Sequence, residues 1–562
     1  MKYWFLIILS ALVVFRCFYL DQDAPPLQLS NILQEDEPYY CNGAMNMYCA
    51  SEGRSVPGFE KTKAECFDID TRLPVFLSLK VFGNNYWGLR IPFLLASLLV
   101  MWLMYSIFKL IRPLLNFDLL LLLVMATNFY LFLFSRFANP QIFSILGITF
   151  AIWLFVKYGC QKPLNVILLG FFVAATPIFI YALNFFCLAG FGIYITIKAI
   201  KEKRYSLIFC FATGVVMCFV FYIICLYAIG NSPEIVRSIL SNGDNDMGTD
   251  FSSIKGLLYN TYKDVVAFTN TGFFRYQLLL LFAFMAFLPF LFKGILNLKG
   301  KEKELSLLVS LLFVFQLVQS FFVLNHSTKK LIVDMPIVLI GVFLAYPGSS
   351  LTEILSTSRK KITYLLWLFV IVGFCYINVR INKSQAFWLH ATDAEGGCYT
   401  TTPIWFDIAN YASVGLLFSA IVLMIFTYYS FSKKLLTIAF VVSITFNLLF
   451  TYKTCFAERK YQIRDMLIGL RPILHNKVIG MGYSFTYELY TGCKPALHLY
   501  LITNYGMNGP GTLDSLLKIR KIDYVIERNS VESPKNIDSN LTFLKKTPIR
   551  CYDLALFKNK LE

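Results

Sequence analysis

Gln34-Glu35-Asp36-Glu37-Pro38-Tyr39-Tyr40 begins about fifteen residues beyond an apolar stretch at residues 3–20. That stretch is long enough to cross a bilayer if its flanks reach for the headgroups. Phe18-Tyr19-Leu20 before Asp21 offers no small-residue cleavage site, so it reads as a retained first span rather than a signal peptide. The acidic run then opens a polar loop just outside the membrane. Asp36, with Pro38 two residues on, fits a helix start at which the carboxylate caps backbone N–H groups. The same carboxylate, held at the bilayer surface, is also placed to act as a base on an acceptor that meets a lipid-borne substrate there.

Working outward, the whole chain is that of a membrane protein. Of its 562 residues, 57% are hydrophobic and 15% charged, and the mean hydropathy of +0.60 excludes an ordinary soluble domain. The 55 Phe and 33 Tyr suit lipid-facing helices and interfacial belts. A net charge of +17 would fit nucleic acid, but the basic residues fall in short clusters between apolar runs, which is the positive-inside pattern. Apolar periodicity predicts about thirteen spans, near 3–20, 89–108, 117–135, 140–156, 163–180, 182–199, 206–228, 277–293, 305–324, 331–347, 362–378, 412–431 and 435–452. Clusters such as Lys109/Arg112, Lys157/Lys162, Lys198/Lys201/Lys203/Arg204 and Lys299/Lys301/Lys303 fall at every second loop. One orientation makes them all cytoplasmic, with the N-terminus inside and the tail outside.

Four extracytoplasmic segments are long: about 21–88, 229–276, 379–411 and 453–562. Long loops of this kind are usually functional. The first is expected to carry surface helices from Asp36 to about Ala50 and from about Arg72 to Phe82. The expected fold class is thus an all-α polytopic membrane domain over 1–452 with a small C-terminal extracytoplasmic α/β domain over 453–562. In that tail, Lys477 to Gly482 and Asp523 to Glu527 read as strands and Thr512 to Lys521 as a helix. Gly480 and Gly482 suit a strand-end turn better than a phosphate loop. Cys41, Cys49, Cys66, Cys398, Cys455, Cys493 and Cys551 lie outside in this topology, where disulfides are permitted but their connectivity is open. The four histidines are scattered, so no metal site is expected from spacing.

One span, then Asp36-Glu37 and Tyr40, then Pro74, then Phe82-Gly83-Asn84-Asn85-Tyr86-Trp87-Gly88-Leu89-Arg90 resembles a known pattern. It is similar to the GT-C class of multi-span glycosyltransferases, especially the aminoarabinose lipid A transferases and the dolichyl-phosphate-mannose protein mannosyltransferases. The likeness is clearest over about residues 1–160. It implies that Asp36 is the catalytic carboxylate and Glu37 its acidic neighbour, with Tyr40 in support. Arg72 stands near a basic-Pro element that contacts the donor phosphate in relatives. Ser135-Arg136-Phe137-Ala138-Asn139-Pro140 resembles the segment opening the fourth span, which makes Arg136 a second phosphate-binding candidate. Asn139 stands where relatives often carry an acid, so this chain has one carboxylate fewer there. Lys329 and Lys330 before Pro336 resemble a further basic element.

The implied activity is transfer of a sugar from a polyprenyl-phosphate donor to a lipid, glycan or protein acceptor on the extracytoplasmic face of the inner membrane. Its partners would be that donor, the acceptor and membrane lipids, and not nucleic acid. The inventory suits this chemistry, since a departing phosphate needs cations and an attacking acceptor needs one carboxylate. A divalent metal is compatible with the first-loop carboxylates, but nothing in the spacing requires one. Each cation also has a structural reading, because basic side chains at span ends snorkel to lipid phosphates. Two other classes fit the composition. A lipid or glycan transporter or flippase would concentrate polar, broken helices at the midplane, and an envelope scaffold would need no acid–base arrangement.

Overall fold

The computed structural model describes residues 2–22, most of 41–54, 69–113, 117–138, 141–180, 184–228, 300–318, 335–345, a few between 444 and 452, 461–481, 489–498, 521–529, 541–549 and 552–560. The expected spans at 277–293, 362–378 and 412–431 lie outside the described residues, as do Gly482 and all but the last residue of the expected helix from Thr512 to Lys521.

The bundle is built from α1 (Lys2–Cys17), α2 (Ile69–Phe82), α3 (Tyr86–Ile111), α4 (Phe117–Thr127), α5 (Phe129–Arg136), α6 (Gln141–Tyr158), α7 (Pro163–Ala175), α8 (Phe185–Glu202), α9 (Ser206–Ala228), α10 (Lys301–Val318) and α11 (Met335–Ala345). Three of these helices, α3, α6 and α9, are long and apolar enough among the described residues to cross a membrane. The expected span at 206–228 is α9 to the residue.

Two expected spans are interrupted, each for a local reason. Asn128 divides 117–135 into α4 and α5, because its side-chain oxygen accepts the Leu131 N–H (3.1 Å) and so starts a new helix. The segment 163–180 passes from α7 into a π-helical turn, Thr176–Ile180. Such turns mark a widened helix and often sit at functional positions. The Thr176 carbonyl released there accepts from the Asn184 amide (3.2 Å) at the start of α8.

The second helix expected in the first loop, from about Arg72 to Phe82, is present as α2. Val75 and Leu79 are fully buried against α3, while Leu73, Leu77 and Val81 form an exposed apolar stripe at four-residue spacing. An apolar stripe on a helix outside the crossing set suits the headgroup–acyl boundary. A tight turn joins α2 to α3. Gly83 takes a φ of +84°, and a Cβ at Gly88 would lie 2.3 Å from the Gly83 carbonyl, so both positions require glycine. Asn85 caps α3 by accepting the Gly88 N–H (3.0 Å).

The charge clusters expected on one side of the membrane do share one end of the bundle. Arg112, closing α3, forks onto Glu302 at the start of α10 (2.9 and 3.1 Å) and also donates to the Phe343 and Leu344 carbonyls of α11. Lys198, near the end of α8, meets Glu304 of α10 (2.7 Å), which also accepts from the Tyr194 hydroxyl (3.0 Å). Lys109 pairs with Asp118 (2.7 Å). These pairs turn a positive-inside signal into cross-links between helix ends.

After the bundle come α12 (Gln462–Leu474) and a five-stranded sheet: β1 (Val478–Met481), β2 (Lys494–His498), β3 (Tyr524–Asn529), β4 (Leu541–Ile549) and β5 (Tyr552–Asn559). The order is β2-β1-β3-β5-β4, with β1 parallel to β2 and β3, and β5 antiparallel to β3 and β4. The two strands read from sequence are neighbours in this sheet. The β4–β5 hairpin is an addition that the charged run Lys545-Lys546 concealed. One apolar face of α12 (Ile463, Met466, Leu467, Leu470, Leu474) packs on Ile479, Ile526 and Leu556 of the sheet as a core separate from that of the bundle.

Candidate active site

The described part of the site is a short turn ringed by arginines, at the end of the bundle opposite the Arg112–Glu302 contacts. Helix α1 ends at Cys17, and Tyr19 takes a left-handed φ of +53°. This reverses the chain through Leu20, Asp21 and Gln22, the residues that lead into the acidic loop. A non-glycine residue in that conformation persists only when its surroundings hold it.

Two completely buried arginines, Arg136 and Arg90, do so, and a third, Arg16, lies beside Arg136. Arg136, closing α5, donates to the Tyr19 carbonyl (2.8 Å). Arg90, on the first turns of α3, donates to the Leu20 (2.7 Å) and Gln22 (2.6 Å) carbonyls and lies over the rings of Tyr86 (4.0 Å) and Phe137 (4.6 Å). Arg16, the penultimate residue of α1, donates to the Ser135 hydroxyl and to the Ala126 carbonyl (2.8 Å). Arg16 and Arg136 both stack on Phe132, at 5.3 Å each. Burying a guanidinium is expensive unless its hydrogen bonds are met. Concentrating three in one place is more so, and an anion among them would relieve the repulsion.

The tail closes the other side of the turn. Arg464 of α12 pairs with Asp21 (2.6 Å) and with Asp465 (2.9 Å). Burial alone would lower the Arg464 pKa, but the hydrogen bonds to Asp465 and Asp21 outweigh it and the net shift is upward. Tyr490 stands edge-on to Tyr86 (5.5 Å). Its N–H donates to the Asn84 carbonyl (3.1 Å), and its hydroxyl accepts from the Tyr86 N–H (3.3 Å). Burial pushes the Tyr490 phenol upward, so it stays protonated across the physiological range. Arg54 of the first loop reaches the Cys493 carbonyl (3.3 Å). Nearby, Glu52 is held below the usual carboxylate range by its hydrogen bond to Lys80 of α2 (2.5 Å).

Of the residues expected from sequence, Arg136 is in this cluster. Arg72 is buried on α2, a different element from the turn. Asp36, Glu37, Tyr40, Asn139, Lys329 and Lys330 lie outside the described residues. Among the described residues, no group of three or more His, Cys, Asp or Glu could hold a metal ion.

Arg16, Arg90, Asp21, Arg464 and Tyr490 were not singled out by sequence reasoning as site residues. Two of them carried a legible signal: Arg16 is a charge within an apolar span, and Arg90 a cation at a span end on the side that should be poor in cations. Arg464 and Tyr490 carried none, because their partners lie more than 400 positions away in sequence.

No family model matches the chain, and no curated protein matches it in sequence. Solved structures do match its fold. The crystal structure of ArnT from Cupriavidus metallidurans in the apo state aligns with a TM-score of 0.56 at 11% identity, covering 99% of this chain and 98% of that one. The same protein bound to undecaprenyl phosphate aligns with a TM-score of 0.58 at 12% identity, covering 98% of each chain. Identity this low carries the fold and leaves the activity to be argued from the site. Over nearly its whole length, this chain has the fold of ArnT.

Proposed function

We propose that the chain is a glycosyltransferase that moves a sugar from a polyprenyl-phosphate donor to a lipid, glycan or protein acceptor. The reaction would take place on the extracytoplasmic face of the inner membrane. The observation that carries this reading is the grip of Arg90 and Arg136 on the turn that leads into the acidic loop, with Arg16 buried beside Arg136 on the same Phe132 ring. The shared fold with a protein crystallised with undecaprenyl phosphate supports the class of lipid.

In this reading the acceptor oxygen attacks the sugar C1 as the C1–O bond to phosphate breaks. The bonding electron pair leaves with the phosphate oxygen, giving the polyprenyl phosphate, and the acceptor proton passes to Asp36. Phosphate is already a fair leaving group, so guanidinium hydrogen bonds that strengthen as its charge grows lower the barrier more than an acid would. Glu37 orients Asp36. Arg136, with Arg72 and the pair Lys329 and Lys330, holds the donor phosphate, while Tyr40 and Asn139 line the site. In-line attack inverts the anomeric centre. We infer further that residues 453–562 form an extracytoplasmic α/β domain beside the 1–452 membrane domain, with the first loop, 21–88, between them.

Mass spectrometry of lipid and protein glycans from a deletion strain tests the reading. One sugar should disappear from one acceptor class and return when the gene is restored. An unchanged glycan and glycolipid profile, with no loss of undecaprenyl-phosphate binding when Arg136 is replaced, would refute it.

A further inference from the structure

We propose that Arg464 is a positioning residue, which holds the Asp21 carboxylate away from the buried arginines and so keeps their charge available to the donor phosphate. The inference rests on the proposed function and deepens it, since it assigns the tail an electrostatic part in donor binding.

Four contacts meet on residues 19–22. Arg136 and Arg90 grip the carbonyls of Tyr19, Leu20 and Gln22 from the bundle side. Arg464 grips the one carboxylate of the turn from the tail side. Asp21 thus lies between two carbonyls, of Leu20 and Gln22, that are both bound by the buried Arg90 guanidinium. Its side chain is 30% exposed and points to α12 because a partner waits there at 2.6 Å. Without Arg464 that carboxylate loses its partner on the tail side, and the buried arginines on the bundle side, of which Arg90 binds the carbonyls on either side of Asp21, are left to compete for it. A swing toward them would satisfy Asp21 and cancel one of their charges, in competition with a phosphate.

The position of α12 is secured independently. Tyr490 is bound to Asn84 and Tyr86, and Arg54 to Cys493, so loss of the Arg464 pair alone leaves the tail docked. Tyr86 in turn lies beneath the Arg90 guanidinium, which links the same docking to the cluster.

The test is a double-mutant cycle on the full-length protein in nanodiscs, read as the affinity for undecaprenyl phosphate. Arg464→Ala should weaken binding about three- to fivefold, the scale of a partly exposed ion pair. Arg464→Lys should retain most of the affinity. The decisive variant is Asp21→Asn/Arg464→Ala. If Asp21 does harm by turning inward, removing its charge restores binding to within about twofold of wild type, on the same scale. If Arg464 merely braces the tail, the double variant binds as weakly as Arg464→Ala, and that result overturns the proposal. Equal affinity of Arg464→Ala and wild type also overturns it. Failure of the wild-type protein to bind undecaprenyl phosphate would instead count against the proposed function. Thermal melting of each variant separates a folding defect from a binding defect.

Discussion

Asp36 can cap a helix, act as the base, or do both, and Asn distinguishes these roles because it keeps the cap and loses the proton acceptor. Asp36→Asn should lower transfer at least about a hundredfold, as expected for loss of a positioned base. Expression and undecaprenyl-phosphate binding should persist. Glu37→Gln should cost less. Near-normal turnover of Asp36→Asn would reduce Asp36 to a cap and move the search to Glu35, Glu37 or Asp70. Arg136 makes a different kind of prediction. Replacing it with Ala would leave the Tyr19 carbonyl with the Gln22 N–H (3.1 Å) alone and confuse binding with stability, at about 1–3 kcal/mol. Arg136→Lys keeps the charge and removes the planar fork, so it should raise KM for the donor several-fold with little effect on melting. Arg380→Lys, in another outer loop, should change neither. Equal effects at the two positions would mean ordinary snorkelling at both.

At the scale of elements, the closest packing of the bundle is between α7 and α9. A Cβ added at Gly170 would lie 2.3 Å from the Phe211 carbonyl, and one at Gly214 would lie 2.1 Å from the Ile167 carbonyl. The obstructing atoms are backbone and cannot turn aside, so the helices meet there only because both positions lack a side chain. Within a membrane this close approach replaces the hydrophobic effect as the force joining helices. Gly214→Ala should therefore lower the melting temperature of the purified protein, at a cost of about 1–3 kcal/mol for the forced separation. Gly192→Ala is the control, because its Cβ would meet only a ring carbon of Phe211 at 3.9 Å. Similar melting of the two variants would show that the α7–α9 seam yields more easily than its geometry implies.

At the scale of the whole molecule, the network at one bundle end and the arginine-ringed turn at the other predict a single orientation. Reporter fusions after residues 60, 250, 400 and 460 should report the outside, and fusions near 202, 300 and 360 the cytoplasm. Residue 60 and the tail on opposite faces would break both the topology and the tail–loop contacts. The tail itself has its own apolar core between α12 and the sheet, so a fragment spanning 453–562 made in an oxidising compartment should resist limited proteolysis. Digestion throughout the fragment would mean that the tail is stable only when docked on the bundle.

How much was legible differs by element for physical reasons. Span α9 could be read to the residue because no charged side chain interrupts it. The break at Asn128 was missed, since a side-chain oxygen bound to a backbone N–H three residues on leaves no trace in an apolar average. Strands β1 and β3 were legible as short apolar runs, whereas β4 and β5 became strands only by pairing with each other and with β3. Among site residues, Arg136 could be proposed from its place at a span end and its motif. Its partner Tyr19 could not, because a hydrogen bond to a backbone carbonyl does not depend on which side chain that residue carries. By itself, the sequence determined the membrane class, the spacing of the charge clusters between apolar runs and the acidic run after the first of them, because these follow from local composition. Only the tertiary structure decided that Arg90 and Arg136 meet on one turn, with Arg16 buried beside Arg136, and that Arg464 reaches the turn from the tail. Those contacts join segments up to 443 positions apart, and proximity at that range is set by packing alone.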